Sequence, residues 1–406
     1  MLGGLFVLVI TGFLSFLVID NLKRKYTFID SDLLRKLFFY HVLLFFAYYG
    51  YAVFNSSDSQ QYYQKIIMNF RGDTWLSFYG TSTTFIEFLG YPFIKFLGFS
   101  YEAIMALFAW FGFLGFVYFY IFFKENLRFR HTLFGYDLLT LFFFLPNPHF
   151  WAASFGKGAV IFLGLGLFFF GISKVRTRWL AILIGGVIIY HVRPHIMLVV
   201  LLSSMIGFVF SSKGVSLSLR FLFIAVAAAA FFYIYQDVLS MVGLEQETMF
   251  TEGLDMSHRA RELSKATSGV DITNYSLPMQ LFTFVYRPLF VDAPGALGLF
   301  VSFENVFYVL ITLRLFSSWA GATYLFRANF LAKGAFFSFL TISIALAQVS
   351  GNLGIAMRQK SQVMLLLMFV IISFLDEQKI LEWKAKEARR KRLERAKRLA
   401  MEKSRV

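Results

Sequence analysis

An arginine flanked by two histidines stands between two apolar runs near the middle of the chain. The residues are His191, Arg193 and His195, and Pro194 follows the arginine directly. Proline disfavours helical geometry at the residue before it, so the sequence predicts a break between two helices at Arg193. A guanidinium group suits two phosphate oxygens, and an imidazole can take up or release a proton near neutral pH. We therefore predict a polar turn that binds an anion. The alternative is that Arg193 anchors the chain to lipid headgroups.

A carboxylate and two tyrosines form a second polar group, directly after an apolar run. Asp58 and Tyr62 are four positions apart, so a helix would place them on one face, with Tyr63 beside them. A carboxylate at such a position can take a proton from a hydroxyl group or bind a divalent cation. The alternative is that Ser57 or Asp58 caps the start of a helix.

Three further clusters combine cations with helix-breaking or polar residues. Their cationic and histidine members are His149 and Lys157, then Arg287, then Arg358 and Lys360. The first cluster follows Pro146-Asn147-Pro148 and is either a re-entrant turn or a kinked helix. In the second, Glu304 is a buried partner for an arginine if the cluster is structural. In the third, the cations are snorkelling anchors if they have no role in binding.

The elements that must position these residues are membrane helices. Of the 406 residues, 58% are hydrophobic and only 16% are charged, whereas a soluble domain has about 25% charged residues. Apolar runs recur along nearly the whole length, which predicts an all-α polytopic bundle of about eleven spans, or roughly ten to thirteen. Cysteine is absent, which excludes disulfides, thiolate metal sites and cysteine nucleophiles.

The expected spans follow the apolar runs. They are residues 2–19, 37–54, 101–123, 137–152, 159–172, 179–190, 196–210, 221–235, 296–313, 335–349 and 361–375. Two polar loops between them, 55–100 and 237–280, are expected to fold as short interfacial helices that cap the bundle. Residues 1–376 then form the membrane domain, and residues 377–406 form a separate basic helical tail that rests on anionic lipid.

The distribution of cations predicts the orientation. Most of the 39 lysine and arginine residues fall in the tail and in alternate loops. The positive-inside rule places those loops in the cytoplasm. The N-terminus is then outside, the C-terminus is cytoplasmic, and the polar clusters meet at the outer face. The tail carries much of the net charge of +15, so this charge does not require a nucleic-acid partner.

Together, these clusters resemble bacterial polytopic glycan-assembly proteins. Those are the GT-C-type lipid-linked glycosyltransferases and the O-antigen or EpsG-like exopolysaccharide polymerases. The similarity lies in Asp58 to Tyr63, Asn147 to Lys157, Arg193-Pro194-His195, Arg287 and Arg358. It implies transfer or polymerisation of an undecaprenyl-phosphate- or pyrophosphate-linked glycan outside the bacterial cytoplasmic membrane, beside other glycan-assembly proteins. GT-C enzymes often carry an acidic pair in the first outer loop, whereas here Asp58 has no acidic neighbour. A divalent cation is therefore expected only at Asp58, and no other cofactor is implied.

The resemblance also implies roles for individual residues. Cations hold the leaving group, a carboxylate or histidine acts as base, and tyrosines line the substrate site. The cations are Arg193, Arg287, Arg358, Lys157 and Lys360; the bases are Asp58, His149, His191 and His195; the tyrosines are Tyr62 and Tyr63. The chain lacks GxxxxGK[ST], HExxH and GxSxG, which leaves nucleotide-dependent and hydrolase functions without a motif. Two alternatives remain: a lipid-linked glycan flippase or transporter, and a non-catalytic membrane subunit of a surface-assembly complex.

Overall fold

The computed structural model describes residues 2–210, 216–242, 264–265 and 268–403, and these residues are almost entirely helical. In chain order the α-helices are α1 (Leu2–Lys25), α2 (Ser31–Phe54), α3 (Asp58–Ile67), α4 (Thr83–Tyr91), α5 (Tyr101–Asn126), α6 (Leu138–Phe143), α7 (Pro146–Ala152), α8 (Lys157–Ile172), α9 (Val175–Val192), α10 (Pro194–Val209), α11 (Leu217–Val242), α12 (Leu277–Tyr286), α13 (Gly295–Phe316), α14 (Trp319–Ala322), α15 (Tyr324–Arg327), α16 (Phe330–Val349), α17 (Leu353–Lys360) and α18 (Met364–Lys403). Within the described ranges, the one sheet is a hairpin of β1 (Thr132–Leu133) and β2 (Tyr136–Asp137). The predicted all-α class is confirmed.

Six helices in the described ranges are long and apolar enough to cross a membrane. They are α1, α2, α5, α9, α13 and α16. Of the other five expected spans, two fall on α8 and α10, two on α11 and α18, and one is divided between α6 and α7. Helices α8 and α10 have 16 residues each, fewer than the roughly 20 that cross a bilayer without tilt or thinning. The expected count of about eleven spans is therefore not confirmed.

Two of the expected spans are interrupted. The run at 137–152 is divided into α6 and α7, with Phe144 and Leu145 between them. The run at 361–375 begins inside the break between α17 and α18, which contains Ser361 to Val363. Proline explains the first interruption, because Pro146 begins α7 and disfavours helical geometry at the residue before it. Since α5 and α8 run parallel, with Phe119 packed on Phe162 and Phe122 on Phe169, the chain between them crosses the bundle once, so this region is a broken helix and not a re-entrant turn.

The bundle has two ends, which we name after two carboxylates. Helices α5 and α8 run parallel, since Phe119 packs on Phe162 and Phe122 packs on Phe169. Helix α9 returns antiparallel beside α8. The starts of α5 and α8 and the end of α9 define the Asp58 end. At the opposite end, the carboxylate of Asp376 accepts hydrogen bonds from the backbone N–H groups of Arg128 and Phe129, at 3.0 and 2.7 Å. This is the Asp376 end.

A glycine fixes the position of the turn that precedes α8. A β-carbon at Gly112 in α5 would collide with the carbonyl oxygen of Ala152 at the end of α7. Small residues permit such close helix contacts in membrane proteins. Residues 153–156 are consequently held against the first half of α5, which is where the candidate site lies.

The basic tail is not a separate element. Helix α18 continues without a break from the apolar residues after Met364 to Lys403, so the expected boundary at residue 376 falls inside one helix. Its exposed part carries an ion pair between Lys391 and Glu387 at 2.9 Å and another between Arg390 and Glu394 at 3.7 Å. Pairs at this spacing stabilise an isolated helix by about 0.3–0.5 kcal/mol each.

Candidate functional site

A cap formed by residues 58–96 covers part of the Asp58 end. It contains α3, a 3-10 turn at Trp75–Phe78, α4 and a π-helical turn at Pro92–Phe96. Its centre is Glu87, which is fully buried, contacts Arg71 and lies 3.8 Å from the Lys65 ammonium nitrogen. The interfacial helices predicted for the first loop are present. Most of the second predicted loop, including residues 243–263, lies outside the described residues.

The central contact of the site joins Asp58 to Arg358. The guanidinium Nη1 of Arg358, in α17, donates to Oδ2 of Asp58, in the first turn of α3, at 2.6 Å. The guanidinium carbon also lies 5.8 Å from the ring centroid of Trp151. The Asp58 side chain is 46% exposed and that of Arg358 is 24% exposed. One side of the ion pair therefore packs against the protein, and its other side is open to a ligand.

Helix α3 brings Tyr62 to the same face as Asp58. Tyr62 is buried, and burial, followed by the charge of Asp58, raises the pKa of its hydroxyl group to about 12. The phenol therefore stays protonated and can donate a hydrogen bond, but it is not a base near neutral pH. Tyr63 has a different role, because its hydroxyl group donates to the Phe99 carbonyl oxygen at 3.2 Å and ties the cap to the start of α5.

The turn before α8 closes one side of the site. A β-carbon at Gly156 would lie 3.9 Å from Nη2 of Arg358 and 4.0 Å from the ring of Tyr62. The hydroxyl group of Tyr48 interacts with Ser154 in the same turn, and its ring centroid lies 6.0 Å from that of Trp151. Sequence reasoning missed Tyr48 and Ser154, because a tyrosine inside an apolar run and a serine in a turn carry no pattern that marks them.

Lys157 and His191 meet through Ser82. The Lys157 ammonium group donates to Oγ of Ser82 at 2.8 Å, and the Ser82 N–H donates to the His191 carbonyl oxygen at 2.6 Å. Ser82 has a φ of +62°, a conformation that costs a non-glycine residue about 1–3 kcal/mol and tends to occur at functional sites. The cap is thus fixed to the start of α8 and the end of α9 on the same side as Arg358.

Both ring nitrogens of His191 have partners. Nδ1 lies 2.8 Å from the Val187 carbonyl oxygen, which can only accept, so Nδ1 carries the hydrogen. Nε2 lies 2.9 Å from the hydroxyl group of Tyr79 and accepts from it. His191 can therefore act as a base only after Tyr79 moves away or passes a proton through its own hydroxyl group.

The break predicted at Arg193 is present. Helix α9 ends at Val192 and α10 begins at Pro194, and Arg193 has φ −154° and ψ 86°. Its carbonyl oxygen accepts from the N–H groups of Ile196 and Met197 at the start of α10. The side chains of Arg193 and His195 are half-buried at the Asp58 end.

The prediction that His149 lies at the outer face is wrong. His149 is fully buried, and its Nδ1 lies 2.8 Å from Nδ1 of His41 in α2. Its Nε2 donates to the Phe143 carbonyl oxygen at 2.7 Å, and its ring stacks on Phe116 with centroids 3.7 Å apart. This histidine pair holds α7 against α2 and α5, away from the Asp58–Arg358 pair.

Arg287 does not join the predicted cationic ring either. Its guanidinium group contacts the carboxylate of Asp292 in the turn after α12, and both side chains are less than 20% exposed, at 17% and 19%. Burial alone would lower the pKa of Arg287, but Asp292 and Tyr275 together outweigh it and raise that pKa. Its charge is already neutralised within the turn.

Lys360 belongs to a buried network instead of an outward-facing site. Its ammonium group is fully buried and donates to Oδ1 of Asn305 at 2.6 Å, to the carbonyl oxygen of Arg287 at 2.7 Å and to that of Val285 at 3.4 Å. The last carbonyl groups of α12 have no helical partner, and in an apolar interior such groups need an internal donor. Lys360 supplies that donor.

Glu304 and Asn147 complete this network. Oε1 of Glu304 accepts from the backbone N–H of Asn147 at 2.5 Å. The structural alternative predicts an arginine as the partner of Glu304, and the structure shows this backbone group instead. The Asn147 side chain donates to the Met357 carbonyl oxygen at 3.0 Å. The network therefore joins the start of α7, the end of α12 and the second half of α17 to the middle of α13.

The donor set at Asp58 does not fit a divalent cation. In the part of the chain that the structure describes, no group of three or more His, Asp or Glu side chains could hold a metal ion. Asp58 faces a guanidinium group, and the nearby Glu87 is enclosed by Arg71 and Lys65.

The structure thus brings Asp58, Tyr62 and Arg358 into one cluster and connects Lys157 to His191 at the same end. It places His149, Arg287 and Lys360 elsewhere. Comparisons with protein-family models, with curated proteins and with solved structures find no match to this chain.

Proposed function

We propose that this multi-pass membrane protein transfers or polymerises a glycan from a polyprenyl-phosphate- or pyrophosphate-linked donor at its Asp58 end. The observation that carries the proposal is the half-open Asp58–Arg358 pair, in which a cation suited to phosphate contacts a carboxylate suited to proton transfer. The protonated hydroxyl group of Tyr62 and the ring of Trp151 flank this pair. The same proposal places the protein in the bacterial cytoplasmic membrane.

The ion pair suggests how donor binding prepares the base. Phosphate oxygens of the donor compete with Asp58 for the Arg358 guanidinium group, which binds phosphate in a bidentate manner. The released carboxylate of Asp58 then accepts the proton of the acceptor hydroxyl group. The acceptor oxygen forms a bond with the anomeric carbon, the bond from that carbon to the phosphate oxygen breaks, and the phosphate leaves with the electron pair. Lys157 and Arg193 are further cations at this end.

The orientation follows from the charges at the two ends. Cationic residues before α2, after α5 and before α9 lie at the Asp376 end, together with the basic part of α18. The positive-inside rule places that end in the cytoplasm. The Asp58 end then faces outward, where a translocated lipid-linked glycan is available.

Comparing the Asp58–Arg358 ion pair with a control ion pair elsewhere in the bundle tests the proposal. Arg35 and Asp20 form a contact of 2.7 Å with side chains 42% and 45% exposed, at the opposite end of the bundle. The experiment compares Asp58→Asn and Arg358→Lys with Asp20→Asn and Arg35→Lys. Each variant complements a deletion strain, and surface glycan length is measured at matched protein level.

The activity of the Asp58 and Arg358 variants should be about 10²–10³-fold lower than that of the unmodified protein. This decrease is typical when one transition-state contact is removed. The control variants should remain active, because an exposed pair contributes only about 0–1 kcal/mol. Normal glycan length with both Arg358→Lys and Asp58→Asn would reject the proposal.

Transport is a second candidate, which the broken helices favour. Discontinuous helices that meet in the interior are typical of secondary transporters, where they bind substrate. Here α7, α12 and α17 meet at Lys360 and Glu304, although their ends bind each other. The location of the lipid-linked precursor in the deletion strain separates the two functions. A polymerase defect leaves unpolymerised precursor accessible to an external label, whereas a transport defect leaves it protected inside.

A further inference from the structure

A cleft of about 280 Å³ opens at the Asp376 end, far from the site proposed above. It lies between the β1–β2 hairpin, the end of α13 and the stretch of α18 from Ile371 to Glu382. Its apolar floor includes Leu133, Ile311 and Ile371, and the proposed transfer reaction uses none of the residues that line it.

The polar lining of the cleft consists of two cations, one carboxylate and a histidine, together with the neutral side chains of Thr132 and Gln378. His131 is already paired with Asp376 at 3.3 Å. Lys379 uses one of its hydrogens to donate to the Arg130 carbonyl oxygen at 2.7 Å, which leaves two for a ligand. Within the described ranges, the side chains of Arg314 and Glu382 make no hydrogen bond or ion pair in the cleft they line. The available groups therefore suit a ligand that carries both an anion and a cation.

We propose that this cleft binds the headgroup of an aminophospholipid. The phosphate contacts Arg314 and Lys379, the protonated amine contacts Glu382, and the first carbons of the acyl chains lie on the apolar floor. The volume is slightly below the roughly 300–1,000 Å³ of pockets for whole drug-sized ligands, so it suits a headgroup whose chains remain outside.

The surface beside the cleft indicates that the ligand arrives from the bilayer. Leu310 and Leu313, which precede Arg314 in α13, are 58% and 60% exposed. Helix α13 is one of the helices able to cross a membrane. Exposed leucines on such a helix face acyl chains, so a phospholipid beside α13 would have its headgroup at the depth of Arg314.

Native mass spectrometry of the full-length purified protein tests the proposal, with phosphatidylethanolamine, phosphatidylglycerol and phosphatidylcholine titrated separately. The variants are Arg314→Ala and Glu382→Gln. The matched control is Arg176→Ala, which removes an exposed cation at the same end but outside the cleft. Soluble phosphoethanolamine provides a further arm that contains the headgroup without acyl chains.

Phosphatidylethanolamine should bind the unmodified protein most tightly. Arg314→Ala should weaken this binding about fivefold, the factor that corresponds to about 1 kcal/mol for one cation near a lipid surface. Arg176→Ala should leave it unchanged. Glu382→Gln should remove the preference for phosphatidylethanolamine over phosphatidylglycerol.

Three results would overturn the proposal. Equal weakening by Arg314→Ala and Arg176→Ala would mean that only net charge matters. Equal or tighter binding of phosphatidylglycerol to the unmodified protein would exclude recognition of the amine by Glu382. Binding of soluble phosphoethanolamine as tight as that of the lipid would assign the cleft to a small soluble ligand. None of these measurements depends on glycan transfer, so they stand apart from the test of the proposed function.

Discussion

Replacing Lys360 with methionine should destabilise the whole membrane domain and not merely inactivate it. Methionine keeps an unbranched side chain of similar length but has no hydrogen-bond donor. The ammonium group that it removes is fully buried and donates to a side chain of α13 and to two carbonyl groups at the end of α12. Asn305 is also fully buried, so water cannot replace the lost donor at its side chain.

The size of the expected loss in stability follows from the two shorter hydrogen bonds of Lys360. The acceptors on Asn305 and Arg287 lie 2.6 and 2.7 Å from the ammonium nitrogen, and each buried acceptor left without a donor costs about 1–3 kcal/mol. The expected loss is therefore about 2–6 kcal/mol, against a total stability of about 5–15 kcal/mol for a typical protein. Asn305 cannot simply turn away, because its Nδ2 donates to the Pro288 carbonyl oxygen at 2.6 Å.

The assay measures protein level in membranes and the unfolding temperature of the purified protein in detergent. Lys384→Met is the matched control, since Lys384 is an exposed lysine of α18. We expect Lys360→Met to show a low protein level and a clearly lower unfolding temperature, and the control to match the unmodified protein. If Lys360→Met had normal stability but no activity, Lys360 would return to a substrate-binding role and our structural interpretation would be refuted.

Three further predictions concern other parts of the chain. Arg193→Lys should lose nearly as much activity as Arg193→Ala if the planar guanidinium binds phosphate, whereas full activity of the lysine variant would indicate lipid anchoring. Burial would raise the pKa of Asp376, but His131 and two backbone N–H groups outweigh it and lower that pKa. The stabilisation is therefore present at neutral pH and lost as the pH falls through the folded-state pKa. Asp376→Asn should lower stability at neutral pH by about 1.5–3 kcal/mol and flatten its acid dependence in thermal unfolding. Reporter fusions should place Lys36, Arg130 and Arg178 in the cytoplasm and Asp73 outside, and an outside location for Arg130 would reverse the proposed orientation.

The sequence predicts best where a local pattern decides the structure. The apolar run at 37–54 lies within α2, and Pro194 separates α9 from α10. The spacing of Asp58 and Tyr62 predicts a shared helix face, and α3 provides it. Each of these predictions depends on periodicity or proline geometry within a few residues, which the sequence contains directly.

Contacts between distant segments could not be predicted in this way. Asp58 and Arg358 are 300 positions apart, and no local pattern relates one to the other. Glu87 stands in a mostly apolar stretch of the first loop, and no local pattern marks it as the buried centre of the cap. Its partners come from other segments of the cap, so only the folded chain reveals that role.

The errors at Lys360 and His149 have a common geometric cause. Arg358 and Lys360 are two positions apart in α17, and Asn147 and His149 are two positions apart in α7. Residues at this spacing lie on nearly opposite sides of a helix. In a polar turn, all members of a cluster can face one surface. In a helix, residues two positions apart face different neighbouring elements.

This geometry links the candidate site to the buried network. Helix α17 has only eight residues, and both of its ends are held. At the start, the side chain of Asn352 accepts from the Ile355 N–H at 3.1 Å. At the end, Lys360 is bound by α12 and α13. A charged side chain contributes to catalysis only when its supporting elements hold it within about 0.5 Å of the productive position. The network around Lys360 therefore sets where Arg358 meets Asp58. Structural support and the proposed phosphate binding occupy opposite faces of one short helix, α17.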